Sequence, residues 1–313
     1  MSKRIVIAVG GNALIEDKNH QSEQDQYSQV KKTCTHIIPL IEAGHEVVIT
    51  HGNGPQVGFI LQRSEESAGK MHRTPIDSAG AETQGAIGYY FSQNLQNLLL
   101  EKNISKPVCA VVTQTIVDKN DPSFQNPSKP IGSFCSQEES QKLSAQYGWT
   151  MKEDAGRGWR RVVPSPLPLD IAEKEIVKDL LAKGVIVTAC GGGGIPVVRS
   201  ENGLLSGVEA VIDKDRGAAL LANEITADEL VIATAVDFVC INFNKPDEKK
   251  LEHVTVAELK EYITQNQFAP GSMLPKIEAV IQFIENGGKE AIITSPEKLP
   301  LALEGKSGTH ITK

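Results

Sequence analysis

Short apolar runs alternate with longer amphipathic stretches along the first 115 residues. The runs Arg4–Val9, Glu46–Thr50 and Pro107–Thr113 have the length and continuous apolar character of strands that are buried on both faces of a sheet. Between them, the spacing of apolar residues predicts helices over about Asp25–Ala43 and about Ala79–Lys102. Strands that alternate with helices in this way predict an α/β fold with a mainly parallel sheet and right-handed crossovers.

The same alternation resumes after Pro168 and continues almost to the end of the chain. The strands predicted there are Val185–Ala189, Leu230–Ala233, Phe238–Asn242 and Ala291–Thr294. The helices predicted there are about Asp170–Lys183, Lys214–Ala222, Val256–Gln265 and Ser272–Asn286. Gly203 marks a hairpin, and the strands near Leu230–Ala233 and Phe238–Asn242 are expected to pair.

Residues from about 117 to 166 interrupt the alternation. Turn-forming pairs such as Asp121-Pro122 and Lys129-Pro130 separate short strand-like pieces, of which Trp159–Val163 is the clearest. These pieces favour a small inserted subdomain that covers the sheet edge as a lid. An open loop is the alternative interpretation, and the aromatic and β-branched residues weigh against it.

Glycine-rich turns follow three of the predicted strands. They are Gly10-Gly11-Asn12, His51-Gly52-Asn53-Gly54 and Gly191–Gly194, with Gly193 inside the last. Parallel strands present their carboxyl ends at one edge of a sheet, where ligands bind, and the N–H groups bared by glycine hold anions. The repetition favours a cradle for a small anion over tight turns alone.

Two familiar phosphate-binding motifs are excluded by their context. Gly191–Gly194 leads into the extended residues 195–198, whereas the dinucleotide-binding fingerprint opens a helix. Gly305-Lys306-Ser307 has Pro300 where a P-loop needs its first glycine.

Lysines and an aspartate at helix starts are the candidate catalytic groups. Lys214 and Asp215 open a predicted helix that Asp213 can cap, so capping alone is the alternative interpretation. Lys276 lies in the first turn of another helix, where the helix dipole disfavours a cation, so its position suggests a function. Lys129 lies in the insertion and can reach down from a lid. Several lysines above N–H cradles, without an obvious general base, fit phosphoryl transfer.

Composition excludes several classes of partner. The chain of 313 residues has a net charge of −7 and 5% aromatic residues, which argues against nucleic acid and a membrane surface as partners. No apolar run has membrane-spanning length. The five cysteines form no Cys-x-x-Cys pair, which predicts reduced thiols in the cytoplasm without zinc, with Cys109, Cys190 and Cys240 buried.

Over nearly its whole length the chain resembles the carbamate kinases of the amino-acid kinase superfamily. The matching runs are Val9–Leu14, Thr50–Gly58, Gln84–Tyr89, Lys129–Gly132, Glu153–Gly158, Gly191–Pro196, Ala210–Asp215 and Gly271–Lys276. The resemblance implies the amino-acid kinase fold, a three-layer sandwich around an open, mainly parallel sheet with a small inserted lid. It also implies reversible phosphoryl transfer between ATP and carbamate, usually run to form ATP from carbamoyl phosphate and ADP. The further implications are Mg²⁺, which arrives with ATP or ADP and has no direct protein ligand, and a homodimer.

The resemblance also assigns the candidate site residues. The catalytic ones are Lys129, Lys214, Asp215 and Lys276. The turn residues that the resemblance assigns to carbamoyl phosphate are Gly10, Gly11, Asn12, Gly52 and Asn53, and the glycine turns add Gly54 and Gly193 as candidates. The residues assigned to the nucleotide are Thr234, Ala235, Val236, Asp237, Met273 and Lys276. The chain is thus expected to be one domain: about 1–185 bind carbamoyl phosphate, with the lid at about 117–166, and about 186–313 bind the nucleotide.

The chain departs from the family pattern at two places. Asn266–Pro270 replaces a Gly-His-Phe run, and Cys135 stands where an aromatic residue is common. Both leave room for altered lid closure or nucleotide affinity, and for a paralogue that serves a different catabolic pathway. A kinase of the same fold that acts on another small carboxylate or carbamoyl compound is the second hypothesis. A nucleotide-binding regulator without turnover is the third hypothesis, and the presence of all four mapped charged residues weighs against it.

Overall fold

A large open sheet and the helices on its two faces form the body of the protein. The computed structural model describes residues 2–17, 19–154 and 156–313. Its helices are α1 (Glu23–Glu42), α2 (Gly54–Glu66), α3 (Ile76–Glu101), α4 (Gln137–Tyr147), α5 (Lys174–Ala182), α6 (Lys214–Glu224), α7 (Val256–Thr264), α8 (Met273–Glu285) and α9 (Leu299–Leu303). Its first strands are β1 (Arg4–Val9), β2 (Glu46–His51), β3 (Val108–Ala110), β4 (Gln114–Val117), β5 (Lys129–Cys135), β6 (Met151–Glu153), β7 (Trp159–Val163) and β8 (Pro168–Ile171). The later strands are β9 (Ile186–Thr188), β10 (Ile195–Arg199), β11 (Leu205–Gly207), β12 (Glu229–Ala233), β13 (Val239–Ile241), β14 (Lys249–Leu251), β15 (His253–Thr255), β16 (Glu290–Thr294) and β17 (Thr309–Thr312).

The eight strands of the large sheet run in the order β15-β17-β16-β12-β1-β2-β9-β3. The six strands from β16 to β3 are parallel to one another, and β17 pairs antiparallel to β16. The predicted mainly parallel sheet is therefore confirmed. Because the central strands are parallel, their carboxyl ends meet at one edge of the sheet.

Residues of the central strands alternate between two hydrophobic layers. Ile5 and Ile7 of β1 pack with α1 and α3, whereas Val6 and Ala8 pack with α5, α6 and α8. The period of two in a strand sends successive side chains to opposite faces, so a sheet with helices on both sides buries both sets. The three-layer sandwich is confirmed.

Three local predictions are wrong. The run Pro107–Thr113 is not one strand, because the chain leaves β3 after Ala110 and enters β4, in a separate four-stranded sheet, at Gln114. The helix placed over Asp170–Lys183 begins only at Lys174, since the residues before it pair with β4 as strand β8. The strand near Phe238–Asn242 pairs with β14 and not with β12.

The cysteines are less buried than predicted. Cys34 and Cys190 are buried, but Cys109 and Cys240 are only half-buried. In the described ranges the five cysteines are free thiols. Likewise, none of the helices described there is long and apolar enough to cross a bilayer.

A three-stranded sheet in the order β5-β7-β6, with α4 beside it, forms the lid sheet. Helix α4 was not predicted, because its sequence is polar on nearly all sides and buries only Ser140. Apolar residues at the base of the lid sheet, Ile131 and Val163, pack with Val57 and Leu61 of α2. The guanidinium of Arg73 stacks on the ring of Tyr147 at 3.5 Å.

Candidate active site

The glycine turns of β1 and β2 lie side by side at the carboxyl edge of the sheet. The N–H of Gly10 donates to the Ala233 carbonyl and the N–H of Gly52 donates to the Val9 carbonyl, each at 3.0 Å. Gly11 and Asn12 lie in a one-turn helix over Gly11–Ala13, and Gly54 begins α2 with Asn53 as its N-cap. The turns therefore bring backbone N–H groups and the N-terminus of α2 together at one place. These are the two features with which a protein backbone binds anions.

The glycine turn after β9 is held from three sides. Gly193 has φ of +89°, and a Cβ on it would lie 2.9 Å from Ile212. A Cβ on Gly217 of α6 would lie 2.7 Å from the Cα of Gly193, and one on Gly192 would lie 2.2 Å from the Asn53 amide. The close packing and the left-handed backbone both require glycine here. Without side chains, this turn lies directly against α6 and against the turn after β2.

Two lysines from different helices share one buried carboxylate. The Nζ of Lys214 lies 2.6 Å from Oδ1 of Asp215, and the Nζ of Lys276 lies 2.9 Å from Oδ2. The Asp215 side chain is 3% exposed, and the two lysine side chains are 17% and 15% exposed. Helices α6 and α8 pack together on the same face of the sheet, which brings their first turns into contact. We call these three residues the Lys-Asp-Lys cluster.

The cluster lies against the glycine turns. A Cβ on Gly52 would be 3.2 Å from Cδ of Lys214 and 4.0 Å from the N of Gly11. The aliphatic part of Lys214 therefore crosses directly over Gly52, beside the turn after β1. The structure thus brings Gly11, Gly52, Lys214, Asp215 and Lys276 into one site.

Electrostatics keep the central carboxylate ionised. Burial acts to raise the pKa of Asp215, but attraction and hydrogen bonds from Lys214 and Lys276 outweigh it and lower the pKa overall. The carboxylate consequently stays charged at neutral pH and orients both ammonium groups.

Asp213 caps α6, as the sequence predicts. Its Oδ1 accepts from the N–H of Asp215 at 3.0 Å and from the N–H of Arg216 at 3.4 Å. At the start of α8, the Ser272 side chain makes no capping hydrogen bond. Lys276 nevertheless lies in the first turn, and its carboxylate partner compensates for the unfavourable dipole.

Lys129 reaches the site from the first residue of β5 in the lid sheet. Its Nζ lies 3.1 Å from Oδ2 of Asp213. The Lys129 side chain is 44% exposed, more than either lysine of the cluster. The lid lysine therefore lies beside the start of α6 and is joined to it by one carboxylate.

The residues assigned to the nucleotide lie on neighbouring elements of the same sheet edge. The N–H of Thr234, directly after β12, donates to the Thr294 carbonyl at 2.7 Å. Oδ1 of Asp237 accepts from the Ser295 hydroxyl at 2.6 Å. Thr234 and Ala235 line a cleft of about 480 Å³ together with residues of α1 and the 295–297 turn. Val236 follows Ala235 in the same loop, and Met273 begins α8, half-buried against the core.

His51 has a structural role in the turn after β2. The ring is buried, its Nδ1 lies 2.9 Å from the Gly52 carbonyl oxygen, and it stacks on Phe91. Burial lowers the pKa of His51 to about 4, against a smaller opposing effect of the hydrogen bond to Gly52. His51 is thus neutral at pH 7 and shapes the turn.

Buried polar side chains that sequence reasoning missed brace the third glycine turn. Nε2 of Gln84 donates to the Gly191 carbonyl at 3.0 Å, and its Oε1 accepts from the N–H of Thr113 at 2.7 Å. The Thr115 hydroxyl donates to the Gly193 carbonyl at 2.9 Å. The sequence did carry a signal for a buried polar role, because Gln84 interrupts the apolar stripe of α3 between Ala79 and Ile87.

The run that departs from the family pattern has structural contacts of its own. Oε1 of Gln267 accepts from the N–H of Asn242 at 2.8 Å, beside β13. Phe268 is buried in the core with α7 and α8. Residue 155 of the Glu153–Gly158 run lies outside the described residues.

Comparisons with known proteins agree on one family. Residues 3–295 match the model of the Amino acid kinase family. Carbamate kinase of Clostridium perfringens is 52% identical over 99% of this chain and 100% of its own length, and that of Thermococcus kodakarensis is 51% identical over 99% of both. The structure of carbamate kinase from Giardia lamblia bound to AMP-PNP superposes with a TM-score of 0.95 at 44% identity, covering 100% of this chain and 99% of the other.

Proposed function

The chain belongs to the amino acid kinase family and, within it, to the carbamate kinases, and from this premise we propose how it works. It is a phosphotransferase that moves a phosphoryl group between ATP and carbamate. The observation that supports this most is the Lys-Asp-Lys cluster beside the bared turns at Gly11 and Gly52. We propose that the reaction runs in the direction that forms ATP from carbamoyl phosphate and ADP.

Each part of the site has a distinct task in this reaction. The transferred phosphoryl group carries charge on three equatorial oxygens, and catalysis depends on positioning it and neutralising that charge. Lys214 and Lys276 supply two ammonium groups, and Asp215 holds them in place while remaining ionised. Gly10, Gly52 and Gly193 donate their own N–H groups to backbone carbonyls and so shape the turns. The neighbouring backbone N–H groups of Gly11, Asn12, Asn53 and Gly54 bind the anion.

The two halves of the domain divide the substrates between them. Residues of about 1–185 bind carbamoyl phosphate, and residues of about 186–313 bind the nucleotide. On the nucleotide side, we assign the loop from Thr234 to Asp237 and the start of α8, where Met273 and Lys276 lie in the first turn. Lys129 of the lid sheet supplies a third ammonium group to the phosphoryl group when substrates are bound, and the lid excludes water.

Magnesium enters with the nucleotide. In the described part of the chain, no three His, Cys, Asp or Glu side chains lie together as a metal site. Both oxygens of Asp215 already accept from lysines, so the donor set fits a metal held by phosphate oxygens. Bound Mg²⁺ would neutralise part of the phosphate charge. Activity should disappear on addition of EDTA and return with excess Mg²⁺.

A coupled assay tests the activity directly. The protein is mixed with carbamoyl phosphate, ADP and Mg²⁺, and ATP is measured through hexokinase and glucose-6-phosphate dehydrogenase. ATP formation that depends on all three supports the proposal, and its absence would contradict it. Carbamate is compared with acetate and other small carboxylates in the reverse direction, because a preference for another acid would identify a different kinase of this fold.

We also propose a homodimer. Strand β3 is an outer strand of the large sheet, and Val112 just beyond it is 53% exposed. Tyr89, on the helix α3 that packs against β3, is 55% exposed. An open edge beside exposed apolar residues can pair with a second copy. Analytical ultracentrifugation should give about twice the chain mass of 33.8 kDa.

The cytoplasm is the compartment that fits this protein. The thiols of the described residues are free, as is usual in a reducing compartment. Fractionation of source cells, followed by detection with an antibody, tests this assignment.

A further inference from the structure

One carboxylate joins the lid sheet to the helix that carries the Lys-Asp-Lys cluster. Oδ1 of Asp213 accepts hydrogen bonds from N–H groups in the first turn of α6. Its Oδ2 accepts a hydrogen bond from the ammonium of Lys129 in the lid sheet. The two residues that follow Asp213 are Lys214 and Asp215. Asp213 therefore sets the position of the lid lysine relative to the groups proposed to hold the phosphoryl group.

The chain leading into Asp213 is itself attached to the lid. The Nη2 of Arg161, in β7, lies 2.8 Å from Oε2 of Glu209. The N–H of Val211 donates to the Pro164 carbonyl at 3.0 Å. Val211 also packs against the small apolar cluster that contains Ile131 and Val163 of the lid sheet. Residues 209–213, which we call the strap, thus contact the lid at Glu209, Val211 and Asp213, and Asp213 is the strap residue next to the cluster.

The Lys129 ammonium depends on this contact for its location. Among the described residues, Lys129 forms one ion pair, and its partner is Asp213. A lysine side chain that is 44% exposed and otherwise free explores many rotamers, and fixing it costs conformational entropy. A carboxylate that holds the ammonium beside the site removes part of that cost before substrate binds.

We infer that Asp213 is a positioning residue that holds Lys129 at the start of α6 and yields it to the incoming phosphoryl group. The inference rests on the proposed function, because the anion that takes over Lys129 is carbamoyl phosphate. No covalent step is involved. The ammonium exchanges a carboxylate partner for a phosphate oxygen, and the helix cap through Oδ1 stays in place.

The substitution Asp213→Asn separates the two tasks. Asparagine caps helices as well as aspartate does, so the carbonyl oxygen still accepts from the N–H groups of α6. The neutral amide no longer attracts Lys129. Asp213→Asn should lower kcat/KM for carbamoyl phosphate roughly tenfold, with KM for ADP unchanged, because the entropy of fixing one long side chain is of that order. An unchanged or higher kcat/KM would overturn the inference.

A double-mutant cycle shows whether Asp213 acts through the lid lysine. In a Lys129→Met background, Asp213→Asn should cause no further loss of activity. An equal loss in both backgrounds would mean a structural effect on α6 and would overturn the inference. Glu209→Gln is the matched control, since it removes another strap carboxylate from another lid ion pair, and its effect should add to that of Lys129→Met.

Lysine labelling tests the same contact without turnover. Brief treatment with acetic anhydride, followed by mass spectrometry, should label Lys129 several-fold faster in Asp213→Asn than in the parent, relative to the exposed Lys119. Equal labelling would overturn the ion pair in solution. If the parent protein forms no ATP, the proposed function fails, but this measurement still decides whether Asp213 holds Lys129.

Discussion

Lys276 donates to Oδ2 of Asp215 at 2.9 Å across 61 residues of sequence. The contact joins the first turns of α8 and α6, which pack on the same face of the large sheet. Because Oδ1 of the same carboxylate accepts from Lys214, one side chain fixes the spacing of two ammonium groups.

Removal of the α8 lysine should abolish most turnover without unfolding the protein. Lys276→Ala is expected to lower kcat roughly 10²–10³-fold, as for loss of one well-placed donor at a developing charge. A melting curve should still show a folded protein, because Lys214 still pairs with Asp215 after the Lys276 ammonium is removed. Lys289→Ala is the control, since Lys289 is 76% exposed and pairs with Asp228 elsewhere. Normal turnover by Lys276→Ala would remove its proposed role.

Neutralising the shared carboxylate should cost both stability and activity. Asp215→Asn leaves two ammonium groups without their partner, and the free energy of unfolding should fall by roughly 2–3 kcal/mol at pH 7, a low value because both lysines keep some exposure. The pKa of Asp215 is lowered in the folded state, so its contribution is complete above pH 3.8 and is lost as the pH falls through the folded pKa. Urea unfolding of both proteins at pH 7 and pH 3 should show a larger difference at pH 7. A constant difference would contradict this account.

A methyl group on the second glycine turn should displace the α6 lysine. The Cβ of Gly52→Ala would lie 3.2 Å from Cδ of Lys214, so this side chain must shift by a few tenths of an ångström. The expected result is a roughly tenfold lower kcat with nearly unchanged stability, since small misplacements at a reacting centre are costly. Gly58→Ala in α2 meets nothing within 4 Å and serves as the control. Equal kinetics for the two variants would argue against the placement of Lys214.

Two glycines of α3 should respond in opposite directions to alanine. A Cβ on Gly88 would lie 2.6 Å from the Cβ of Ala110 in β3, whereas one on Gly85 meets nothing within 4 Å. Gly88→Ala should therefore lower the free energy of unfolding by about 1–3 kcal/mol. Gly85→Ala should raise it by about 0.4–1 kcal/mol, because alanine restricts the unfolded chain. Urea unfolding measures both, and the same sign for the two changes would be inconsistent with the packing of α3 on β3.

The buried histidine should make the protein less stable in acid. The pKa of His51 is about 4 when folded and near 6.5 when unfolded, so the unfolded chain binds an extra proton between these values. Stability consequently falls as the pH drops through this window. His51→Phe keeps an aromatic ring against Phe91 and removes the titration. Between pH 7 and pH 4.5, the parent should lose about 2–3 kcal/mol more than the variant, and equal losses would show that His51 is not buried and neutral.

Much of the body of the fold was predictable from local pattern. Continuous apolar runs such as Arg4–Val9 occur where a strand is covered on both faces, and amphipathic stretches such as α1 occur where a helix is covered on one. The predictions of strand pairing failed where the partner of a strand, rather than its own residue pattern, decides its place in a sheet. The strand near Phe238 belongs to a small hairpin because β14 offers it an edge, and no local signal names that partner. Helix α4 was missed because a helix that buries one residue has almost no pattern.

The local pattern is enough to show that glycine turns end three strands and that lysines stand at helix starts, because these features depend on a few neighbouring residues. The folded chain was needed to show that Lys214 and Lys276 share Asp215, that Gln84 braces the turn at Gly191, and that Asp213 reaches the lid. Such distances depend on how α6 and α8 pack against the sheet and each other. Packing is a property of side chains far apart in the chain, so spacing along the chain cannot supply it.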